Sequence, residues 1–371
     1  MAKRVLITGG AGFIGSHLAD ELIRHNYHVR VLDNLSEQVH GPGATRPQYL
    51  AREVELIVGD VCDAMIVRDS LDGVDCVFHL AACVGVGQSM YDIARYTAVN
   101  NYGTAILLEE LIDHPVQKLV VASSMSIYGE GLYKDARGDI CSTAGRNIAQ
   151  LKAGLWDIGD DAGSALIPVA TPESKVSCLS SVYALSKFDQ EQMCLIFGKA
   201  YGIDTTALRF FNVYGTRQAL SNPYTGVLAI FISRLLNNKA PLIYEDGRQL
   251  RDFVSVYDVA RACRLAMESP RAAGEVFNIG SGHKYTIQQI AARLGAEMGK
   301  NIKPQITGKY RVGDVRHCFA DVTKAKEMLG FSPQVPFEHG IKELVEWVQS
   351  QEAIDKAEEA VGELDRRKLM I

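Results

Sequence analysis

Tyr183 and Lys187 stand four residues apart in Tyr183-Ala184-Leu185-Ser186-Lys187. On a helix this spacing puts a phenol and an ammonium on one face. A free phenol ionises near pH 10, and an adjacent cation lowers that value. The pair therefore offers a phenolate able to take and return a proton near neutral pH. A second hydroxyl source, Ser123-Ser124, follows the apolar run Leu119–Ala122. Such a run reads as a strand, and ligands of open α/β sheets bind at the carboxyl ends of strands. Either serine is equally suited to forming a turn there.

Near the start of the chain, Gly9, Gly12 and Gly15 are spaced as GxxGxxG, with Phe13 and Ile14 between the last two. Glycine suits these places because a strand must turn sharply, backbone must approach a pyrophosphate, and a helix must pack close to the sheet. The helix start then presents free N–H groups to phosphate. Asp33 closes the next apolar run, and Asn34 follows it. The distance matches an acid that holds the adenosine ribose hydroxyls. Its charge repels a 2′-phosphate and Asn34 supplies no cation, so the expected dinucleotide is NAD rather than NADP.

These groups need a frame. Val5–Thr8, Val29–Leu32, Leu56–Val58, Cys76–Leu80, Leu119–Ala122 and Thr206–Arg209 are short β-rich runs. Helical patterns separate them, the first being Phe13–His25 with Leu18, Leu22 and Ile23 on one side. Alternation of this kind predicts an α/β fold, a Rossmann-like doubly wound parallel sheet covered by helices. Past Phe211 the pattern breaks into shorter pieces, which predicts a smaller, interleaved α/β substrate-binding domain. The expected division is 1–211 plus about 244–270 for the nucleotide-binding domain, and 212–243 plus 271–348 for the smaller one. Residues 349–371 form a charged tail with Ile354, Ala357, Val361 and Leu364 at helical spacing.

Composition narrows the class. Hydrophobic residues make up 47 % and charged ones 22 %, with a net charge of -5, so no basic footprint for nucleic acid is present. The eight cysteines contain no CxxC pair, which argues against a metal site and suits reduced thiols in the cytoplasm. The chain shows no signal peptide and no apolar run long enough to span a membrane.

Taken together, VLITGGAGFIGSHL, Asp33, Gly59-Asp60-Val61, His79-Leu80-Ala81-Ala82, SSMSIYG and YALSK resemble the extended short-chain dehydrogenase/reductase superfamily. More narrowly, they are similar to its nucleoside-diphosphate-sugar epimerases and dehydratases, from residue 3 to about 348. The resemblance implies an NAD retained through the cycle. Asp60 and Val61 would touch adenine. Leu80, Ala81 and Ala82 would line the nicotinamide side, with Asn100 nearby and Ser123 beside the cofactor. Tyr183 would be the base, Lys187 would orient the ribose, and Ser124 would share the hydrogen bond to the reacting hydroxyl. In the second half, Asn212 of Arg209-Phe210-Phe211-Asn212, Arg251 of Arg251-Asp252-Phe253, and Arg311 would grip the substrate's diphosphate. Asn278 would belong to the substrate turn, and Cys318 to a gate position whose small side chain leaves room for a bulky hexose.

Dehydratases of this superfamily carry Asp-Glu after the catalytic hydroxyl, where this chain has Met125-Ser126. The expected reaction is therefore inversion at C4 of a UDP- or dTDP-hexose. Tyr183 would take the O4 proton while hydride passes to NAD, and both would return after the 4-keto sugar turns over. A 4-dehydrogenase/reductase and a non-catalytic NAD sensor of the same fold are the alternatives. The sugar stays open among a UDP-hexose, a UDP-N-acetylhexosamine, a uronate and a dTDP-6-deoxyhexose. A homodimer is expected. An insertion at about 131–172 enters close to the active site as a lid, a specificity loop or an oligomer contact.

Overall fold

The computed structural model describes residues 3–143, 145–160 and 163–371. Seven strands form one parallel sheet: β1 (Arg4–Thr8), β2 (His28–Asp33), β3 (Glu55–Val58), β4 (Cys76–His79), β5 (Lys118–Ser124), β6 (Asp204–Phe210) and β7 (Val276–Ile279). Their order is β7-β6-β5-β4-β1-β2-β3, so the chain reverses its direction of travel between β1 and β4. That reversal opens a crevice at the carboxyl ends of the strands.

Strand residues alternate between two cores, as the two-residue period requires. Val5 and Ile7 point to one face and Leu6 to the other. The first face is covered by α1 (Phe13–Arg24) and by the later helix Val256–Glu268, through Leu18, Leu22, Val259 and Cys263. The second is covered by α2 (Gly103–Asp113) and α3 (Val182–Tyr201), through Leu107, Leu111, Cys194 and Phe197. Each such leucine or phenylalanine contributes about 1.5–3 kcal/mol on burial. The helix Val256–Glu268 is α4 below.

A smaller lobe gathers around Phe231, Leu235, Phe253, Ile290, Leu294 and Phe337. Its boundary differs from the sequence reading: Phe253, expected in the larger domain, packs here, and Ala325, Leu329 and Phe331, expected here, pack in the core of the larger domain. Val276–Ile279, within the stretch expected to belong to this lobe, is the edge strand of the large sheet, with Asn278 opposite Arg209. A single four-residue apolar run carries no mark of which sheet it joins.

The insertion forms an antiparallel three-stranded patch, with Leu132–Lys134 between Ile140–Cys141 and Ile167–Val169. It is tied to the smaller lobe by buried charge. Arg316, wholly inaccessible, pairs with Glu245 at 2.8 Å, Asp246 at 2.6 Å and Asp157 at 2.8 Å. Arg146 from the insertion pairs with Glu245 at 2.9 Å. Among the described residues, none of 131–172 lines the main cavity. The tail makes a further helix, α5 (Ala357–Arg366), whose placement is taken up below.

Candidate active site

One cavity of about 1080 Å³ runs along the carboxyl edge of the sheet and into the smaller lobe. Its first end is the glycine turn. Gly9 has φ +69°, and a β-carbon there would stand 2.8 Å from the backbone nitrogen of Ala81. A β-carbon on Gly15 would stand 2.5 Å from Cα of Gly10, so α1 lies against the strand–turn backbone. Gly12 caps α1 with extended backbone and no side-chain hydrogen bond. The start of α1 is thus left with free N–H groups, beside Phe13 and Ile14 on the cavity wall.

Asp33 ends β2 at the same wall. Its Oδ2 accepts the Ala11 N–H at 3.0 Å and its Oδ1 the Leu35 N–H at 2.9 Å. A carboxylate oxygen has further acceptor capacity, so both remain able to take ribose hydroxyls. Asn34 donates to Asp60 at 3.0 Å, and Asp60 also accepts the Cys62 N–H, which holds its carboxyl below the ordinary value against the opposing effect of burial. Val61, Leu80, Ala81 and Ala82 continue the lining toward the sheet centre.

The hydroxyls meet at that centre. Ser124 lies at the end of β5, one strand residue beyond Ser123. Ser124 Oγ accepts from the N–H and O–H of Ser126, at 3.1 and 2.9 Å. Its own proton is then available to Tyr183, which lines the same cavity. Burial raises the Tyr183 pKa and the Ser124 hydroxyl pulls it back. Lys187 is buried on the same helix, and burial lowers its pKa to about 8. Ser123 lines the cavity, but its hydroxyl is given to Glu191 at 2.6 Å. Glu191 in turn pairs with Arg209 at 2.7 Å, so Arg209 braces the floor beneath Ser124.

Across the cavity stand Asn212, Arg251 and Arg311. Asn212 Oδ1 is buried without a hydrogen-bond partner among the described residues. Arg251 donates to the carbonyls of Leu250, Arg316 and Val315, which fixes its guanidinium. Arg311 is held by Asp314 at 2.7 Å. Two fixed guanidinium groups suit phosphate oxygens.

Known proteins resemble the whole chain. The NAD dependent epimerase/dehydratase family matches residues 5–144 and 162–280. The chain belongs to that family. It is 37% identical over 354 residues to a dTDP-L-rhamnose 4-epimerase of Burkholderia thailandensis, covering 94% of this chain and 96% of that protein. The structure of a Thermotoga maritima UDP-glucose 4-epimerase with UDP-glucose superposes with a TM-score of 0.76 at 34% identity, covering 93% and 98% of the two chains. A Thermus thermophilus UDP-glucose 4-epimerase in complex with NAD gives 0.75 at 29% identity, covering 94% and 99%.

As a member of this NAD dependent family the protein is an enzyme with NAD as its cofactor. The glycine cradle, the uncapped start of α1 and the Asp33 carboxylate fit that group, and the tight approach at Gly9 and Gly15 explains why larger residues are excluded there.

Three expected site residues lie outside the cavity lining. Asn100 spends its amide on the backbone of Cys83 and on Ser186, so it shapes the loop after β4. Asn278 is fully buried, accepts from Tyr128 Oη and donates to the carbonyls of Thr171 and Asp321. Its amide thus ties the end of the insertion at Thr171 to Tyr128 and Asp321. Cys318 is 1 % exposed and packs with Met125, Ile127 and Tyr128 behind the floor. The insertion is the reason: Gly131 donates to the His317 carbonyl and Thr171 to that of Phe319, covering Cys318 from outside. No gate exists at that position.

Other lining residues were missed. Gln38, Arg95 and Asn222 line the cavity and, with the buried Gln88, form a hydrogen-bonded bridge from the segment after β2 to the smaller lobe. Their sequence surroundings carry no motif, because single polar residues on four-residue helices and turns have no spacing to read. The cavity face of α5 was missed too, although its apolar period was visible.

Proposed function

We propose that the protein inverts C4 of a nucleoside-diphosphate hexose through a transient 4-keto sugar. The observation that carries this reading is the convergence of Ser124 and Tyr183 on one wall of a cavity whose other wall holds Asn212, Arg251 and Arg311. NAD held by the Gly9–Gly15 turn and Asp33 would supply a reversible hydride acceptor for C4. The chain's own residues do the rest. Tyr183 takes the O4 proton, with Ser124 donating to the same oxygen network. Lys187 supplies the positive charge that brings the phenol toward ionisation near neutral pH. Arg251 and Arg311 hold the diphosphate while the ketone presents its other face. Tyr183 then gives the proton back.

Met125 and Ser126 follow Ser124, so no carboxyl group sits where elimination of water from the sugar would need one. This supports simple inversion. The test is an NMR screen of UDP- and dTDP-hexoses with purified enzyme. Epimer pairs approaching equilibrium are expected. NADH formed in step with an oxidised sugar would replace the reading by a 4-dehydrogenase.

A homodimer is part of the proposal. Tyr102 and Ile112 flank or lie on α2, and Leu185, Ile196 and Tyr201 lie on α3; all five are exposed. The two helices pack side by side, and a second copy would cover both. Light scattering of the native protein and of Ile196→Glu tests this, with the variant expected to be monomeric. The eight free thiols suit a cytoplasmic setting, and no helix among the described residues is long and apolar enough to cross a membrane.

A further inference from the structure

Arg311 stands on a stretch with little regular structure. Between the short strands Gln305–Ile306 and His317–Cys318, no helix and no strand runs from 307 to 316. Such a stretch does not by itself fix the direction of a long side chain. The Arg311 side chain is fixed nonetheless. Its Nε and Nη2 both donate to Asp314 Oδ1, at 3.0 and 2.7 Å, on the cavity wall. What holds the stretch comes from the tail and from the insertion.

The tail holds it through its backbone. Before α5, Asp355 pairs with Arg234 at 3.2 Å, and near its end Asp365 pairs with Lys309 at 2.9 Å. Leu364 of α5 lies on the cavity wall beside Arg311. A β-carbon on Gly87 would stand 3.4 Å from a methyl of Leu364 and 3.3 Å from Cδ of Arg311. Beyond α5 the chain runs antiparallel to the Arg311 stretch. The backbones of Tyr310 and Ile371 exchange two hydrogen bonds of 2.8 Å, and the Val312 N–H donates to the Leu369 carbonyl at 2.9 Å. Arg311 itself pairs with Met370 as an antiparallel bridge.

The insertion holds the same stretch through Arg146, whose side chain is 1 % exposed. Its guanidinium carbon lies 5.0 Å from the centre of the Tyr310 ring. Its Nη2 donates to the Asp314 carbonyl at 3.5 Å, and Tyr310 Oη donates to the same oxygen at 3.0 Å. Its Nη1 pairs with Glu245 at 2.9 Å, and the Glu245 N–H donates to the Lys309 carbonyl at 2.8 Å. One buried arginine therefore touches the residue before Arg311, the residue that holds its guanidinium, and a third that is tied to Lys309. Arg146 does not itself line the cavity.

Resting on the diphosphate role given to Arg311, we propose that Arg146 and residues 369–371 are positioning elements. They clamp 309–314 so that Arg311 meets the diphosphate with its guanidinium already placed. An arginine left to order itself on binding would lose affinity to the freezing of its rotamers. The insertion thus acts on the substrate without touching it.

The experiment measures binding of UDP and of dTDP by calorimetry. It compares the full chain, Arg146→Met, a chain lacking residues 369–371, Arg311→Leu, and each of the two clamp variants combined with Arg311→Leu. Melting curves and bound NAD are recorded alongside. Arg311→Leu should weaken binding about 10- to 100-fold. Arg146→Met and the shortened chain should each weaken it about 3- to 10-fold with NAD retained. Added to Arg311→Leu, either change should matter less than about twofold, because its effect passes through that side chain. A general loosening of the lobe would instead lower affinity by the same factor in both backgrounds. That result, or native affinity in either folded clamp variant, overturns the clamp alone. The shortened chain carries the test if Arg146→Met does not fold. Undiminished binding in Arg311→Leu, or no binding of either nucleotide by the native chain, overturns the diphosphate reading and this inference with it.

Discussion

Lys187 Nζ lies 2.7 Å from Oε1 of Gln190, its neighbour one turn along α3. Gln190 passes the contact on, donating to Thr104 Oγ1 at 2.9 Å and lying 3.3 Å from His79 Nε2. His79 is buried, and burial lowers its pKa to about 3, so it stays neutral. Its other nitrogen meets Thr8 Oγ1 at 2.8 Å. A row of uncharged groups therefore fixes the lysine without neutralising it.

The alkaline limb of activity should belong to Lys187. With its pKa lowered to about 8, the ammonium loses its proton above that pH, and with it the charge that the proposed mechanism sets beside Tyr183. Profiles of kcat/KM against pH should fall with a midpoint near 8. Lys187→Arg, at reduced rate, should extend the plateau to higher pH, because guanidinium stays charged. An identical alkaline limb in both would contradict the assignment.

The same shift predicts a stability effect of definite sign. A lysine whose pKa drops from 10.5 to about 8 on folding binds its proton less well in the native state. The cost is full below about 8, shrinks between 8 and 10.5, and is gone above. Lys187→Met should therefore gain up to about 3 kcal/mol against the native chain at pH 7, offset by lost hydrogen bonding to Gln190. The difference should narrow at pH 10. Urea unfolding at the two values checks it.

Tyr183→Phe removes the proton carrier and little else, since the ring still fills its site. Turnover should fall about 10²–10⁴-fold while NAD remains bound. Rapid-quench assays and cofactor release on denaturation measure the two quantities separately.

Arg251 is held by three backbone carbonyls and faces the cavity. Arg251→Leu should weaken binding of free UDP or dTDP by about 10- to 100-fold, the value of a charge-assisted hydrogen bond, without moving NAD affinity. Calorimetric titration reports both.

The insertion should behave as a structural brace. Arg316→Met leaves Glu245, whose side chain is 1% exposed, with one guanidinium fewer in a buried network. A loss of about 3–5 kcal/mol is expected by urea unfolding. Cys318→Ala, behind the floor, should leave sugar preference unchanged.

The sheet was readable because its strands are uniform apolar runs spaced by amphipathic helices, a pattern that local sequence carries in full. The residues around Gly9, Asp33, Ser124, Tyr183 and Arg251 were readable because their chemistry fixes their type and spacing. Asn100, Asn278 and Cys318 were misplaced because their sequence neighbourhoods match the family while the insertion and the loop after β4 redirect their side chains. The edge position of β7 and the cavity face of α5 depend on contacts across the whole chain, between Asn278 and Arg209 and between Leu364 and Gly87, which no local pattern encodes.

The central claim is that one hydride leaves C4 and comes back to the same carbon while Tyr183 moves the O4 proton. A nucleotide sugar carrying deuterium at C4 tests it most directly. The account predicts that the inverted product keeps the label at C4, with no net NADH and no exchange with solvent. Loss of the deuterium to water, or its accumulation in free NADH beside an oxidised sugar, would contradict the account.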